Sequence, residues 1–436
     1  LAKGLVKREV IRIVTPGTNL SAESLEETKN NYLMCISHIG KYFGISVTDL
    51  STGVFKTCQI QTVEKVVDEI NKFQPSEVLY HSGIEQIEDI HTVCERLQVA
   101  HTEAPDYYFD IDTDEDTLKR HFHINSLEGL GLKDSLACIA SCGGLIQYLH
   151  ETQMNSLSHI NHIETYSVDS YMILDSSTRR NLELTETLRD KQKRGSLLWV
   201  LDKTKTAMGA RKLREYVEQP LLDKTGIESR LDAVEALNEE LVNREELREY
   251  LNTIYDLERL ITRIALKTAN PRDLLAFKTS IHYLPDIYNM LPQFSSTRFQ
   301  EIYEDYDSLK DLYDLLEQAI VEEPPVSIKE GGIFKKGYRD EIDELRLAKT
   351  ECKTWLADLE TKEREKTGIK GLKIKYNKVF DYYFEVTNSF KSLVPDYFIR
   401  KQTLVNAERY TTGELNTLSG KILGAEDKLY ALEYDC

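Results

Sequence analysis

Long apolar runs are missing from this 436-residue sequence. The longest wholly apolar stretches, such as Leu197 to Leu201, fall far short of the roughly 18 residues that a membrane-crossing helix needs. No membrane partner is expected. The first ten residues, LAKGLVKREV, hold no apolar secretory core, so nothing in them points to export and a cytoplasmic location is expected. Cysteine is scarce and odd in number, seven at irregular intervals, which cannot form a full disulfide framework and suits a reducing compartment. Glycine (21) and proline (10) are too few for a low-complexity or disordered chain, and 41% hydrophobic residues leave enough for ordered cores. Positive charge is also in deficit. The net charge of −18 argues against a surface that clings to nucleic acid everywhere, so the distribution of charge decides more than its sum.

At about 150 residues per unit, the length predicts two or three domains. Residues 31–39, 42–48 and 53–60 are rich in β-branched and aromatic residues, with Gly40 and Gly53 at the turns, and read as three strands. A helix at 62–73, a strand at 77–81, a helix at 84–96 and a strand at 98–103 follow. Three strands followed by alternating α and β units predict a mixed α/β domain in the order of ribonuclease-H-like folds. Beyond Asp134 the pattern turns helical, with helices expected at 134–153, 196–217, 223–241, 254–267 and 271–290. Pro220, Pro271, Pro285 and Pro292 sit where helices start or break.

A third region carries heptad spacing. Ile342, Leu345, Cys352, Leu356 and Leu359 mark a seam on a helix over 339–366. Leu415, Leu418, Ile422, Ala425, Leu429 and Leu432 mark a second over 414–432. Between them, 372–376 and 379–387 read as a pair of strands. Two antiparallel helices with a small β-containing tip are predicted. Residues 367–410 hold eight basic and four acidic side chains, net +4, leaving −22 for the rest of the chain. A cationic tip on an acidic body suits contact with a phosphate backbone. The commoner meaning of such a run is a solvated face, and the nine aromatic residues in the segment are expected to form the tip's own core.

Several chemical-looking patterns fail. Gly332 and Gly337 have the spacing of a phosphate loop, but Tyr338 and Arg339 stand where Lys and Ser/Thr are required. Asp110, Asp112 and Asp114 imitate a calcium loop, yet Glu115 replaces the turn glycine and His121 the closing glutamate, which leaves an acidic loop or a helix start. Cys138 and Cys142, one turn apart, with His159 and His162 near in sequence, read better as small buried cysteines than as zinc ligands. Strand 31–39 offers no carboxylate for a metal-dependent nuclease. No catalytic residue, cofactor or metal site is expected.

The stretches VKREVIRIVTPGT (6–18), DSSTRRNLELTETLRDKQKRGSLLWVLDKTKTAMGARKLREYVEQPL (175–221), EEPPVSIKEGGIFKKGYRDEIDELR (322–346), YYFEVTNS (382–389) and RKQTLVNAERYTTGEL (400–415) together resemble the bacterial MutS family of DNA mismatch-repair proteins, over nearly the whole chain. The resemblance implies a multidomain α+β chain. Residues 1–17 would be the tail of a mismatch-reading domain, 18–150 a ribonuclease-H-like α/β connector and 150–337 an all-α core. The lever helices would be 338–366 and, in truncated form, 411–436, with a β-containing clamp at 367–410 inserted at their tip. It implies duplex DNA as a partner, MutL as a partner through the connector, and a homodimer in the full-length protein. It places the Phe-x-Glu mismatch reader before Leu1 and the ATP- and magnesium-binding domain after Cys436. Phe299-Gln300-Glu301 repeats the reader's letters only, within the helical core. The clamp residues expected at DNA phosphates are Lys373, Lys375, Lys378, Lys391, Arg400, Lys401 and Arg409, with Thr403 and Asn406 as hydrogen-bond donors. Rival readings are a protein-docking scaffold with a passive tip and a metal-dependent nuclease.

Overall fold

The computed structural model describes residues 9–21, 23–82, 84, 87–154, 157–377 and 379–436, apart from the side chains of Lys349, Cys352 and Lys353. The expected reading of 6–18 therefore lies partly outside the described residues. The chain divides into two compact units, one formed by Leu1–Ala269 with Ala276–Lys310 and the other by Asn270–Leu275 with Asp311–Cys436.

The first unit begins with a six-stranded sheet. Strands β1 (Leu33–Ile39), β2 (Tyr42–Asp49) and β3 (Val54–Ile60) form an antiparallel meander. Strands rich in apolar and β-branched side chains, joined by tight turns at Gly40 and Gly53, both at positive φ, produce it. Helix α1 (Val63–Phe73), capped by Thr62, leads to β4 (Glu77–His81), parallel to β1. Helix α2 (Ile87–Leu97) and β5 (Ala100–Ala104) extend the sheet in parallel. After α3 (Ile111–Phe122) and α4 (Leu136–Gln153), the two-residue β6 (Glu164–Thr165) closes the order β5-β4-β1-β2-β3-β6.

Both faces of this sheet are covered. Met34, Ile36, Ile45 and Val78 meet Val66, Ile70 and Ile90 of α1 and α2 on one side. Leu33, Cys35 and Leu79 meet the α4 residues Cys138, Cys142 and Leu145 on the other. Helix α4 lies so close that a Cβ on Gly44 would come within 2.0 Å of the Ala137 carbonyl, and one on Gly143 within 2.4 Å of Asp114. The acidic run at 110–114 is a helix start: Asp110 caps α3 by accepting from the Thr113 N–H at 3.2 Å. Asp114 has no exposed surface, and neither carboxylate oxygen has a hydrogen-bond partner.

Short helices complete the unit: α5 (Ser176–Asn181), α6 (Leu197–Leu201), α7 (Ala207–Glu218), α8 (Lys224–Glu239), α9 (Leu241–Asn252), α10 (Leu257–Ala265), the part of α11 (Pro271–His282) from Ala276 on, α12 (Leu284–Met290) and α13 (Thr297–Glu304). Two expected helices are thereby corrected. The one at 196–217 is broken between α6 and α7, where Asp202 accepts from Thr204 and Thr206 caps the new helix. The one at 271–290 is broken before Leu284, since Pro285 cannot donate into a continuing helix.

The second unit pairs α15 (Asp340–Thr367) with α16 (Gly413–Asp435), after α14 (Lys310–Ala319). The pairing is antiparallel. Ile342 at the start of α15 clusters with Leu429 near the end of α16, together with Ile320, Ile333 and Phe334. Leu356 and Leu359 cluster with Leu415 and Ile422 at the other end. The seam side chain expected at Cys352 lies outside those described. Between the helices stand four strands rather than two: β7 (Lys373–Asn377), β8 (Asp381–Thr387), β9 (Ile399–Thr403) and β10 (Ala407–Thr411), in the order β7-β8-β10-β9. β9 and β10 escape a sequence reading because each is five residues long and carries two adjacent charged residues, Arg400–Lys401 and Glu408–Arg409, which break any apolar alternation.

Candidate nucleic-acid interface

The four-stranded sheet has two chemically different faces. In register, Ile374, Phe384 and Tyr410 lie side by side, and with Val386 and Phe398 they form a core closed by the facing ends of α15 and α16. The aromatic residues of this segment therefore mostly build the core. The opposite face carries Lys373, Glu385, Arg409 and Gln402 in one row across all four strands, with Lys375 beside Tyr383 in the next. A register shift between Arg409 and Tyr410 lets Arg409 pair with Gln402 while Tyr410 pairs with Arg400.

Positions along the strands decide how each cation is held. Lys373 is exposed and makes no ion pair among the described residues. Lys375 reaches Glu385 at 2.7 Å, which raises the ammonium pKa, yet about half of its side chain stays exposed. The Arg409 guanidinium lies 4.6 Å from the centre of the Tyr383 ring and donates to Gln402 Oε1 at 2.6 Å. Lys401 donates to the Phe380 carbonyl at 3.0 Å.

Lys391 and Arg400 gather elsewhere, around the buried Glu408, with Nζ and Nη1 at 2.8 and 3.7 Å from its Oε1. Hydrogen bonds from Lys391 and the Tyr410 hydroxyl hold the Glu408 carboxyl below the usual carboxylate range, and burial first, then Glu408, pushes the Tyr410 phenol up to about 12. One carboxylate faces two cations there, which leaves a surplus of positive charge. Thr403 and Asn406 are exposed, and the Asn406 carbonyl accepts from the Asn388 N–H at 3.1 Å. Lys378 lies outside the described residues.

The eight expected residues that are described thus do not form one surface. Lys373, Lys375 and Arg409 share the outer face of the sheet, while Lys391 and Arg400 share Glu408. A charge count gives no sign of Glu385 and Glu408 as organisers, because each registers only as one unit of negative charge. Asn388, whose Nδ2 donates to the Val405 carbonyl at 2.9 Å, joins two loops and carries no charge that would single it out. The exposed pair Lys375–Glu385 contributes little to stability, about 0–1 kcal/mol for surface pairs, and can be exchanged for a phosphate partner.

Cys138 and Cys142 lie on the buried face of α4, and Cys142 Sγ is 3.1 Å from Ser46 Oγ. His159 Nε2 is 3.1 Å from the Leu50 carbonyl. Among the described residues no grouping of His, Cys, Asp and Glu is placed to hold a metal ion, and no helix is long and apolar enough to cross a membrane.

Comparison with known proteins places these parts. Residues 31–161 match the model of MutS domain II, and residues 177–432 match that of MutS domain III. The chain is 56% identical to the DNA mismatch repair protein MutS of Lachnoclostridium phytofermentans, over all of this chain and 47% of that protein. It is 47% identical to the MutS protein of Acetivibrio thermocellus, over all of this chain and 50% of that protein. With the MutS protein of Alkaliphilus metalliredigens the identity is 46%, over 99% of this chain and 50% of that protein. The chain spans about half the length of these curated relatives. A domain III match over more than half of its residues, joined to a domain II match before it, shows that the chain belongs to the MutS family.

Proposed function

We propose that this chain is the DNA-gripping and signal-relaying part of a mismatch-repair protein, and that it performs no catalysis itself. The observation that carries the reading is the outer face of the four-stranded sheet, where Lys373, Lys375 and Arg409 stand together in a chain of net charge −18. In this reading 367–410 is the clamp, 338–366 and 411–436 are levers, 150–337 is the core, and 18–150 is a connector of ribonuclease-H-like order. The clamp binds duplex DNA through phosphates, with little sequence preference. Lys391, Arg400, Lys401, Thr403 and Asn406 act at the margins of that surface. The levers move as a packed pair, so contact at the sheet biases the core. The connector meets MutL, a second copy completes the assembly, and ATP and magnesium belong to another part of the protein. The site of action is the cytoplasm.

A salt titration of duplex binding tests this. Each phosphate contact contributes about −0.9 to the log–log slope. Replacing Lys373 and Lys375 by Glu is expected to lower affinity and make the slope less steep by about two contacts. An unchanged slope and affinity would overturn the reading. It would favour the passive tip and docking role that the ion pairs of Lys375 and Lys391 also suit.

A further inference from the structure

A second concentration of positive charge lies in the first unit, in a cleft of about 530 Å³ where the ends of α1 and α2 meet α5 and the loop after it. That volume falls within the range of about 300–1,000 Å³ usual for small-ligand sites. Arg96, Arg179, Arg180 and Lys191 line it against one carboxylate, Glu186. In a chain of net charge −18 such a local excess of positive charge attracts anions.

Neutral groups hold two of these cations in place. Arg96 donates to Asn71 Oδ1 at 2.7 Å, and Arg179 donates to the carbonyls of Leu174 and Glu218 at 2.9 and 2.7 Å. On its far side Arg179 also feels Glu218, Glu69 and Asp68, so it serves as scaffold. Arg180 and Lys191 are exposed, and their side chains have no hydrogen-bond or ion-pair partner among the described residues. The loop that presents Lys191 is fixed: Glu183 and Lys191 both adopt φ 47°, and Glu183 Oε1 accepts from the Leu188 N–H at 2.6 Å. Hydroxyls of Ser176 and Ser177 add donors, while Leu97 and Leu188 add apolar surface.

We propose that this cleft binds a phosphate ester, with Arg96, Arg180 and Lys191 as its charge partners. Guanidinium groups match phosphate oxygens in a planar, two-pronged geometry. The apolar pair gives room for a sugar or base, so the ligand is a nucleotide or a stretch of single-stranded nucleic-acid backbone. The proposal is independent of the four-stranded sheet.

The test is hydrogen–deuterium exchange and equilibrium binding of this chain with ATP, with an eight-residue oligothymidylate and with a polyglutamate peptide. Each is measured against wild type, Arg180→Ala/Lys191→Ala, and Lys373→Glu/Lys375→Glu. Because the Arg180 and Lys191 side chains are exposed and unpartnered, the first variant is expected to fold as wild type does. ATP or the oligonucleotide is expected to protect 176–191 and to lose roughly tenfold in affinity in that variant, while the sheet variant keeps the protection. Protection by ATP alone assigns a nucleotide, and protection by the oligonucleotide alone assigns backbone. The proposal is overturned if neither protects 176–191 at millimolar concentration, if affinity is unchanged in the Arg180/Lys191 variant, or if polyglutamate protects as well as phosphate does.

Discussion

Arg346, in the second turn of α15, donates to Glu433, in the last turn of α16, at 2.7 Å, and the Glu433 side chain is wholly shielded from solvent. The other Glu433 oxygen accepts from the Gly332 N–H at 2.7 Å, so one carboxylate ties both helices to the loop that precedes them. Glu433→Ala would remove the acceptor of the Gly332 N–H and the charged partner that Arg346 has on α16, leaving Arg346 the Phe334 carbonyl and Asp343. Such a loss costs roughly 2 kcal/mol. Thermal unfolding and limited proteolysis are expected to show a lower melting temperature and faster cleavage between 322 and 346.

A second arginine joins the sheet domain of the first unit to its helices. Arg211, almost fully buried, donates to both oxygens of Asp256 at 2.6 and 2.8 Å, to Glu258 at 2.6 Å and to the Glu27 carbonyl at 2.9 Å. Arg211→Lys keeps the charge but cannot reproduce the fork. A loss of about 2 kcal/mol in unfolding free energy is expected, since Asp256 loses its two-pronged partner while keeping the Arg259 N–H and, at 3.7 Å, its guanidinium. Urea unfolding of the two proteins measures it. Equal midpoints would show that the charge alone matters.

The orphaned Asp114 carboxyl gives a pH dependence. Burial, with Asp110 adding a smaller repulsion, raises its pKa to about 8. The unfolded chain releases this proton near the ordinary carboxylate value and the folded chain keeps it until about pH 8. Between those values the folded state binds the extra proton, so stability falls as pH rises, by at most about 1.4 kcal/mol per pH unit. Above about pH 8 the dependence ends. Asp114→Asn is expected to remove this slope and to be more stable than wild type at pH 8, as chemical denaturation between pH 5 and 8.5 would reveal.

The cation–carboxylate pairing on the outer face of the small sheet leads to an expectation of opposite sign to charge removal. Glu385→Gln frees Lys375 and removes a negative charge from the row proposed to face DNA phosphates. Duplex affinity is expected to rise several-fold at moderate salt, with a log–log slope steeper by about one contact. Weaker binding would mean that Glu385 orients Lys375 for contact rather than competing for it.

The first sheet was largely legible in the sequence, because Leu33 to Ile60 are rich in β-branched and aromatic residues between turns at Gly40 and Gly53. The seam residues Ile342, Leu359, Leu415 and Ile422 were legible from heptad periodicity, and all four are buried. Strands β9 and β10 were not. Arg400–Lys401 and Glu408–Arg409 place two charges side by side in five-residue strands, so no apolar alternation marks them. The charge surplus could be counted from composition, but its division between two faces depends on the shift at Arg409 and Tyr410, which no local pattern announces. Glu433 was missed since a lone glutamate near a helix end ordinarily faces water.

The two apolar clusters that fasten α15 to α16 lie about 25 Å apart along the helix, at 1.5 Å per residue between Ile342 and Leu359. A single residue inserted between them would rotate everything beyond it by about 100° and pull one cluster out of phase with its partner. Seven residues would restore the phase. The interval between these fastenings is therefore quantised: evolution or engineering can lengthen this rod by whole heptads, with a matching addition in α16, and by little else.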